Sequence, residues 1–125
     1  MTREEIDTFE KTRAQLESLH VEIGALSKKA QNEAINKFKL KFINQTIATA
    51  NTILEDKYKP FGDFDQFEED DVPSNSDVTM LLGQYLNCLE KLRDDSIVQN
   101  HGYWYWRIDG EISTVRTKAP NRLSK

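Results

Sequence analysis

The dipeptide Asp109-Gly110 constrains the fold of this chain more than any other feature, because it lies between two runs of alternating polar and apolar residues. Asp-Gly is typical of the two-residue type I′ turn that joins adjacent antiparallel strands. Such a turn pairs Ile108 with Glu111 and, continued along the strands, Tyr105 with Thr114. The sequence therefore predicts a β-hairpin over residues 102–116.

The predicted hairpin contains a run of aromatic residues, His-Gly-Tyr-Trp-Tyr-Trp-Arg at positions 101–107. Because successive side chains on a strand point to opposite faces, we expect Trp104, Trp106, Ile108 and Val115 to face the core. The opposite face is predicted to carry Tyr103, Tyr105, Arg107, Thr114 and Arg116. Two phenol rings and two guanidinium groups on one face are suited to stacking and to binding carboxylates or phosphates.

Three amphipathic segments precede the hairpin. Thr2 and Glu5 have the spacing of a capping box, and the apolar residues that follow recur at helical intervals, which predicts a helix over about residues 3–27. A broader apolar pattern predicts a second helix over about residues 34–56, and Ser74 offers a start signal for a third over about 76–95. Gly83 is expected at a close helix crossing. The predicted fold class is α+β, mostly helical, with a three-helix core and a C-terminal β-hairpin.

The length of 125 residues is enough for one hydrophobic core and too short for two ordinary domains. We expect a single domain over residues 1–117 and a flexible tail over 118–125. Cys88 is the only cysteine, which excludes an internal disulfide and fits a reducing compartment. The polar, acidic start and the lack of any run of about 18 apolar residues predict a cytoplasmic protein without a membrane segment.

An acidic loop is predicted over residues 59–75, between the second and third helices. Its stretch 61–71 holds six carboxylates, three phenylalanines and no basic residue. The phenylalanines recur at every third position, so they could anchor one side of the loop while the acids stay in solvent. Two interpretations are favoured, a polar loop pinned to the core and a docking surface for a basic partner. Metal binding is a weaker third, because the acids lack the spacing of a calcium loop. The candidate binding residues of the loop are Phe64, Asp65, Phe67, Glu68, Glu69 and Asp70.

No group of residues has the spacing of a catalytic site. Glu17 and His20 have the Glu-x-x-His spacing of di-metal bundles, but the second motif that such sites need is missing. Cys88 lies close to Leu86 and Leu89 at a helical position, which is typical of a buried thiol. We therefore predict no catalytic residue, no metal site and no cofactor.

Charge is distributed unevenly along the chain. The formal net charge of −4 disfavours a general role in coating nucleic acid, although a local basic site would still be compatible with it. Residues 55–71 carry eight acids and two bases, whereas residues 103–125 carry five bases and two acids. These two segments of opposite charge favour a small non-catalytic interaction protein that binds a macromolecular partner. We expect the partner to be a protein, bound through the acidic loop and the Tyr/Arg face of the hairpin.

Three alternatives follow from the same residues. The hairpin could be buried in a homodimer, with its arginines paired to the acidic loop. Its Tyr/Arg face could hold the substrate of an enzyme that acts on a nucleotide or RNA. The same face could bind single-stranded nucleic acid, in which case the affinity would fall with rising salt.

Overall fold

The computed structural model describes residues 1–120 and consists of three helices followed by a three-stranded antiparallel sheet. The helices are α1 (Arg3–Ala30), α2 (Lys37–Tyr58) and α3 (Asn75–Asp95). The strands are β1 (Ile97–Asn100), β2 (Tyr103–Ile108) and β3 (Glu111–Thr117), in the spatial order β1-β2-β3. The predicted fold class is confirmed: the chain is mostly helical and its sheet lies at the carboxyl end.

Helix α1 begins where the capping box predicts. The Thr2 hydroxyl accepts a hydrogen bond from the Glu5 amide at 3.1 Å, and the Glu5 carboxylate accepts one from the Thr2 amide at 3.0 Å. The helix continues past the predicted end at residue 27 as far as Ala30. Two lysines in its last turn suit the negative end of the helix dipole, and no proline or glycine interrupts that turn.

Helix α2 begins at Lys37, later than predicted, because the residues before it pair with another segment. The Ile35 amide donates to the Pro73 carbonyl at 2.9 Å, which removes it from the helix. Asn36 then serves as the N-cap, and its side chain accepts hydrogen bonds from two amides of the first turn. Near the other end Glu55 has a φ of 55°, so the last turn is kinked.

Helices α2 and α3 run parallel to each other and antiparallel to α1. At their amino ends Ala34 forms an isolated β-bridge with Ser74. At their carboxyl ends the Tyr58 hydroxyl donates to the Asp95 carboxylate at 2.7 Å. The connection over residues 59–74 must therefore travel back along the whole length of α2.

Helices α1 and α3 share the most extensive helix–helix contact, and Gly83 lies in it as predicted. A Cβ atom added at Gly83 would lie 3.4 Å from Nε2 of His20. The missing side chain thus permits the close approach, and His20 is part of the contact between the two helices.

The sheet has one strand more than the predicted hairpin. Strand β1 pairs with β2 so that Asn100 lies opposite Tyr103. The two residues between them, His101 and Gly102, have φ values of 52° and 85°, and positive φ at both positions is characteristic of a type I′ turn. This second hairpin was not predicted, because His-Gly is a weaker turn signal than Asp-Gly.

The turn at residues 109–110 is formed as predicted, with φ values of 53° and 80°. Ile108 pairs with Glu111, but the predicted pair of Tyr105 with Thr114 is wrong, since Tyr105 lies opposite Arg116. The register therefore changes partway along the hairpin.

Ser113 causes this change through a β-bulge. Its hydroxyl donates to the Trp106 carbonyl at 2.6 Å and accepts a hydrogen bond from the Val115 amide at 3.0 Å. The bulge shifts β3 by two residues relative to β2. Because the shift is even, side chains beyond the bulge keep the faces that the alternating pattern predicts.

Trp106 anchors the sheet on the helices. Its side chain is 1% exposed, and its ring meets that of Phe9 edge-to-face at 5.1 Å between centroids. Trp104, Ile108 and Val115 are partly buried against the same core. Burial of a large apolar side chain is worth about 1.5–3 kcal/mol, so this inner face fixes the sheet to the bundle.

The chain after β3 turns back toward α3. The carbonyls of Lys118 and Ala119 accept hydrogen bonds from the Arg93 guanidinium, and Pro120 is buried. The remainder of the predicted flexible tail, residues 121–125, lies outside the described residues. Within residues 1–120, no helix combines the length and the apolar character that crossing a membrane requires.

Candidate functional site

The face of the sheet that points away from the helices is formed by one set of side chains, which we call the outer sheet face. Its members on β2 and β3 are Tyr103, Tyr105, Arg107, Ile112 and Arg116, and Val98 and Asn100 of β1 pair with two of them. Alternation places the three β2 residues on this face, and pairing with Arg107 and Tyr105 adds Ile112 and Arg116. All four candidate residues of the predicted Tyr/Arg face are therefore brought together, and Ile112 joins them.

The outer sheet face is open and partly ordered by a cation–π contact. The Arg116 guanidinium carbon lies 4.0 Å from the centroid of the Tyr103 ring. Tyr103 and Ile112 are 51% and 52% exposed. A guanidinium held over an exposed ring gains about 0.5–1 kcal/mol from the contact. The face thus presents an arranged pair of side chains to solvent.

The outer sheet face is basic and lacks acidic members. Glu111 shares a face with Ile108 and so lies on the opposite side of the sheet. Among the described residues, neither Arg107 nor Arg116 forms an ion pair. Within the described residues of one chain, these arginines are therefore not paired with the acidic loop.

The acidic loop is held to the helices by its phenylalanines. The rings of Phe64 and Phe67 meet edge-to-face at 5.2 Å between centroids, and both pack against the core. Phe61, which the three-residue spacing also placed among the anchors, is 41% exposed. Two of the three phenylalanines are thus structural anchors rather than free binding groups.

Two asparagines of α2 fix the backbone of the same loop. Asn44 pairs with the peptide group of Phe67, donating to its carbonyl at 3.0 Å and accepting from its amide at 2.9 Å. Asn51, two helical turns further on, donates to the Asp65 carbonyl at 3.1 Å. The Tyr85 hydroxyl donates to Asn51 Oδ1 at 2.6 Å, and burial raises the pKa of Tyr85 to about 12, so this donor stays protonated.

The carboxylates of the loop point outward. The side chain of Asp65 is 83% exposed although it contacts Lys59 Nζ at 3.1 Å, and Glu68, Glu69 and Asp70 are exposed as well. No hydrogen bond or ion pair within residues 1–120 joins this loop to the outer sheet face. The two predicted contact surfaces are separate in the fold.

A cluster around Arg93 was not identified from the sequence. Arg93 is 1% exposed, yet it donates to the Thr117 hydroxyl at 3.1 Å and to the carbonyls of Lys118 and Ala119 at 2.7 and 3.1 Å. The same guanidinium contacts Glu90 at 2.9 Å. These bonds tie the end of β3 to α3.

Glu90 joins a second arginine to this cluster. One carboxylate oxygen accepts from Arg13 Nε at 2.6 Å and the other accepts from Arg93. Burial by itself would raise the pKa of Glu90, but the hydrogen bonds from Arg13 and Arg93 and their charges lower it overall. Glu90 is therefore ionised at neutral pH and separates two positive charges.

In the sequence, the cluster is indicated only by the position of Arg93 along α3. Arg93 follows Leu89 by four residues, so it continues the buried stripe of α3. An arginine at such a position is expected at the edge of a helix, with its head in solvent. Its burial requires acceptors from β3, which lie far away in the sequence.

The cluster borders a cleft of about 420 Å³ between α1 and β3, which we call the arginine cleft. Its basic lining residues are Arg3, Arg13, Arg93, Arg116 and Lys118. Asp7 and Glu10 also line it, and Ile6, Trp106 and Val115 supply an apolar part. Basic residues thus outnumber acidic ones in the lining of a chain whose net charge is −4.

Two observations on the described residues bear on metal binding and nucleophilic chemistry. Among these residues, no cluster of three or more His, Cys, Asp or Glu side chains could hold a metal ion. Burial raises the pKa of the Cys88 thiol, which keeps it in the weakly nucleophilic protonated form at neutral pH.

Comparison of the chain with protein-family models, with curated proteins and with solved structures gave no match.

Proposed function

We propose that this protein is a non-catalytic interaction protein that binds an acidic segment of a protein partner through the outer sheet face. The observation that carries the proposal is the Arg116 guanidinium over Tyr103, beside Arg107, on a face without an acidic member. We propose the cytosol as its location, because a single cysteine fits a reducing compartment.

The chemistry of the face fits a segment that mixes carboxylates with apolar side chains. Each guanidinium can bind a carboxylate through two parallel N–H donors, and Tyr105 and Ile112 offer apolar contact between them. Because Arg116 is already held over Tyr103, less side-chain freedom is lost on binding.

The acidic loop is proposed as a second contact surface, for a basic part of a partner. Its support is the pairing of Asn44 and Asn51 with the loop backbone, which fixes Phe67 and Asp65 and so one end of the segment that carries Glu68, Glu69 and Asp70. Carboxylates on an ordered backbone bind a basic partner at a lower entropy cost than carboxylates on a disordered one.

A homodimer is a specific form of this proposal. The loop of one copy has the acidic and aromatic chemistry that the outer sheet face of another would bind. Direct stacking of two outer sheet faces is disfavoured, since it would bring Arg107 and Arg116 of each copy against the same residues of the other.

A peptide with the sequence of residues 61–71 provides a defined acidic probe. We expect the native protein to bind the fluorescently labelled peptide, and Arg107→Ala plus Arg116→Ala to weaken the affinity about tenfold or more, measured by fluorescence anisotropy. Lys28→Ala plus Lys29→Ala at the far end of α1 is the control, since it removes the same charge and should leave the affinity unchanged.

Two results would overturn the proposal. One is equal loss of affinity in both double variants, which would indicate only net charge. The other is tighter binding of a labelled oligothymidylate that depends on Tyr103 and Tyr105, which would favour the single-stranded nucleic-acid alternative. Sedimentation velocity of the unlabelled protein tests the homodimer separately.

A further inference from the structure

We infer that the arginine cleft is a binding site for a small organic phosphate, that is, a phosphate group carried on an aromatic or apolar body. This site lies beyond the proposed function, because an anionic small molecule differs from a protein segment in size. The cleft volume of about 420 Å³ falls within the range of small-molecule pockets, roughly 300–1,000 Å³.

Arg13 is the residue that we expect to contact the phosphate. Its Nε is fixed by Glu90 at 2.6 Å and its Nη1 by Glu17 at 3.2 Å, so the position of the guanidinium plane is set. Within residues 1–120, its Nη2 has no acceptor. A guanidinium that is held in place and retains free N–H donors is suited to an oxyanion.

Arg93 has a different part in the site. Its donors are occupied by Glu90, by Thr117 and by the two carbonyls after β3. It therefore fixes the cleft wall rather than contacting a ligand. Three acids, Glu17, Glu90 and Asp94, contact these two guanidinium groups, so the cluster itself carries no net positive charge and the exposed bases of the rim supply the attraction for an anion.

The rim of the cleft adds exposed charges of both signs. Arg3 and Lys118 are exposed bases, and Arg3 contacts Asp7 at 3.3 Å. Glu10 also lines the cleft and, among the described residues, forms no hydrogen bond or ion pair. Glu10 would repel the phosphate, so its removal should strengthen binding.

The apolar part of the lining defines the other end of the ligand. Ile6, Trp106 and Val115 line the cleft together with the basic residues. Ile6 and Trp106 are each 1% exposed, so most of the open apolar surface belongs to Val115, and only the edges of the other two side chains are accessible. A ring or short hydrocarbon attached to the phosphate would bury apolar surface against them.

Phenyl phosphate is the probe, and two-dimensional NMR of the uniformly labelled protein is the measurement. We expect saturable shifts of the Trp106 indole N–H and of the Arg13 side chain. Inorganic phosphate should bind more weakly because it lacks the ring, and benzyl alcohol should not produce these shifts because it lacks the charge.

Variants at the rim test the site without removing a buried group. Arg3→Gln plus Lys118→Gln should weaken phenyl phosphate about fivefold or more, and Glu10→Gln should strengthen it. Lys28→Gln plus Lys29→Gln removes the same charge at the other end of α1 and should leave the affinity unchanged. The Lys118 carbonyl that accepts from Arg93 is retained in every variant.

Three results would each overturn the inference. They are the absence of saturable shifts, equal effects of the Arg3/Lys118 and Lys28/Lys29 double variants, and binding of benzyl alcohol equal to that of phenyl phosphate. Its failure can be told apart from failure of the proposed function, since none of these substitutions changes a member of the outer sheet face.

Discussion

Glu90 makes it possible for two arginines to share one partly buried cluster. Arg13 and Arg93 each donate to a different oxygen of its carboxylate. Without that charge the guanidinium of Arg93, at 1% exposed, would keep only neutral acceptors and the more distant Asp94, whose Oδ1 lies 3.9 Å from its Nη2. Removal of one partner from a buried ion pair costs far more than the pair contributes when it is intact.

The first prediction concerns Glu90→Gln. We expect the variant to lose about 3 kcal/mol of unfolding free energy at neutral pH, measured by urea denaturation. Glu10→Gln, an exposed acid on the opposing helix, should change the unfolding free energy by less than about 0.5 kcal/mol. A loss of similar size in both variants would contradict the role assigned to Glu90.

The effect of Glu90→Gln on the unfolding free energy should depend on pH. The pKa of Glu90 lies below its ordinary value near 4.5 in the folded protein, so its contribution is present above the unfolded pKa and is lost as pH falls through the folded one. The stability of the native protein should therefore drop below about pH 4.5, and the drop should be shallower in Glu90→Gln.

Single residues differ in how far the sequence predicts their environment. Trp106 was predicted in the core because alternation from the Asp109-Gly110 turn assigns its face, and it is buried. Arg93 was not predicted to be buried, because a charged side chain is expected in solvent. Its acceptors, the Thr117 hydroxyl and the Lys118 carbonyl, lie at the end of β3 and just after it. Tyr103, Tyr105, Arg107 and Arg116 were grouped on one face correctly, because alternation within β2 is local and the shift of β3 is even.

At the scale of elements, the bulge in β3 depends on one hydroxyl. Ser113 bonds to Trp106 across the strands and to Val115 along its own strand. These two bonds replace ladder bonds that the irregular register would otherwise leave unmade. They also place Arg116, rather than Thr114, opposite Tyr105.

The second prediction is that Ser113→Ala destabilises the protein by about 1–2 kcal/mol, since the Val115 amide loses its acceptor. Amide hydrogen exchange should speed up at Val115 more than at Arg107. Thr114→Ala, at an exposed position in the same bulge, is the control and should leave exchange at Val115 unchanged. Full protection of Val115 in Ser113→Ala would contradict the assignment.

The third prediction concerns the attachment of the acidic loop to α2. Asn44→Ala removes both hydrogen bonds to the Phe67 peptide group and should cost about 2–3 kcal/mol. Faster hydrogen exchange at the Phe67 amide would report the loss locally. Gln45→Ala, the exposed neighbour on α2, should leave both the stability and this exchange rate unchanged.

The elements themselves were largely predictable, because each helix has its own apolar period and its own N-cap. Strand β1 was missed, since its four residues are too few to establish alternation. The apolar pattern of α2 predicted a central helix, yet Phe38 and Phe42 are 69% and 42% exposed. Periodicity assigns a residue to a face, and tertiary packing decides whether that face is covered.

At the scale of the whole molecule, the parallel arrangement of α2 and α3 sets a minimum length for the acidic loop. Helix α2 has 22 residues and so spans about 33 Å. An extended chain covers at most about 3.3–3.6 Å per residue, so the connection needs about ten residues. The loop therefore has a structural role that does not depend on its charge.

The fourth prediction separates these two roles. Deletion of residues 61–71 leaves a connection too short to span α2, so the monomer should lose its cooperative thermal transition. Replacement of Glu68 and Glu69 by Gln and of Asp70 and Asp71 by Asn keeps the length and should retain that transition. A folded monomer with the native helix order after the deletion would contradict the topology.

The arrangement of the arginine cleft bears on how the chain can be re-engineered. Arg3 lies at the beginning of α1 and Lys118 follows the last strand, yet both line this one cleft. The two ends of the described chain are therefore neighbours, and a short linker from residue 120 to residue 1 could join them. New termini could then be opened between Glu68 and Glu69, in an exposed loop whose two sides are held independently. Such a circular permutant would keep every helix and strand intact while moving the chain ends away from the cleft.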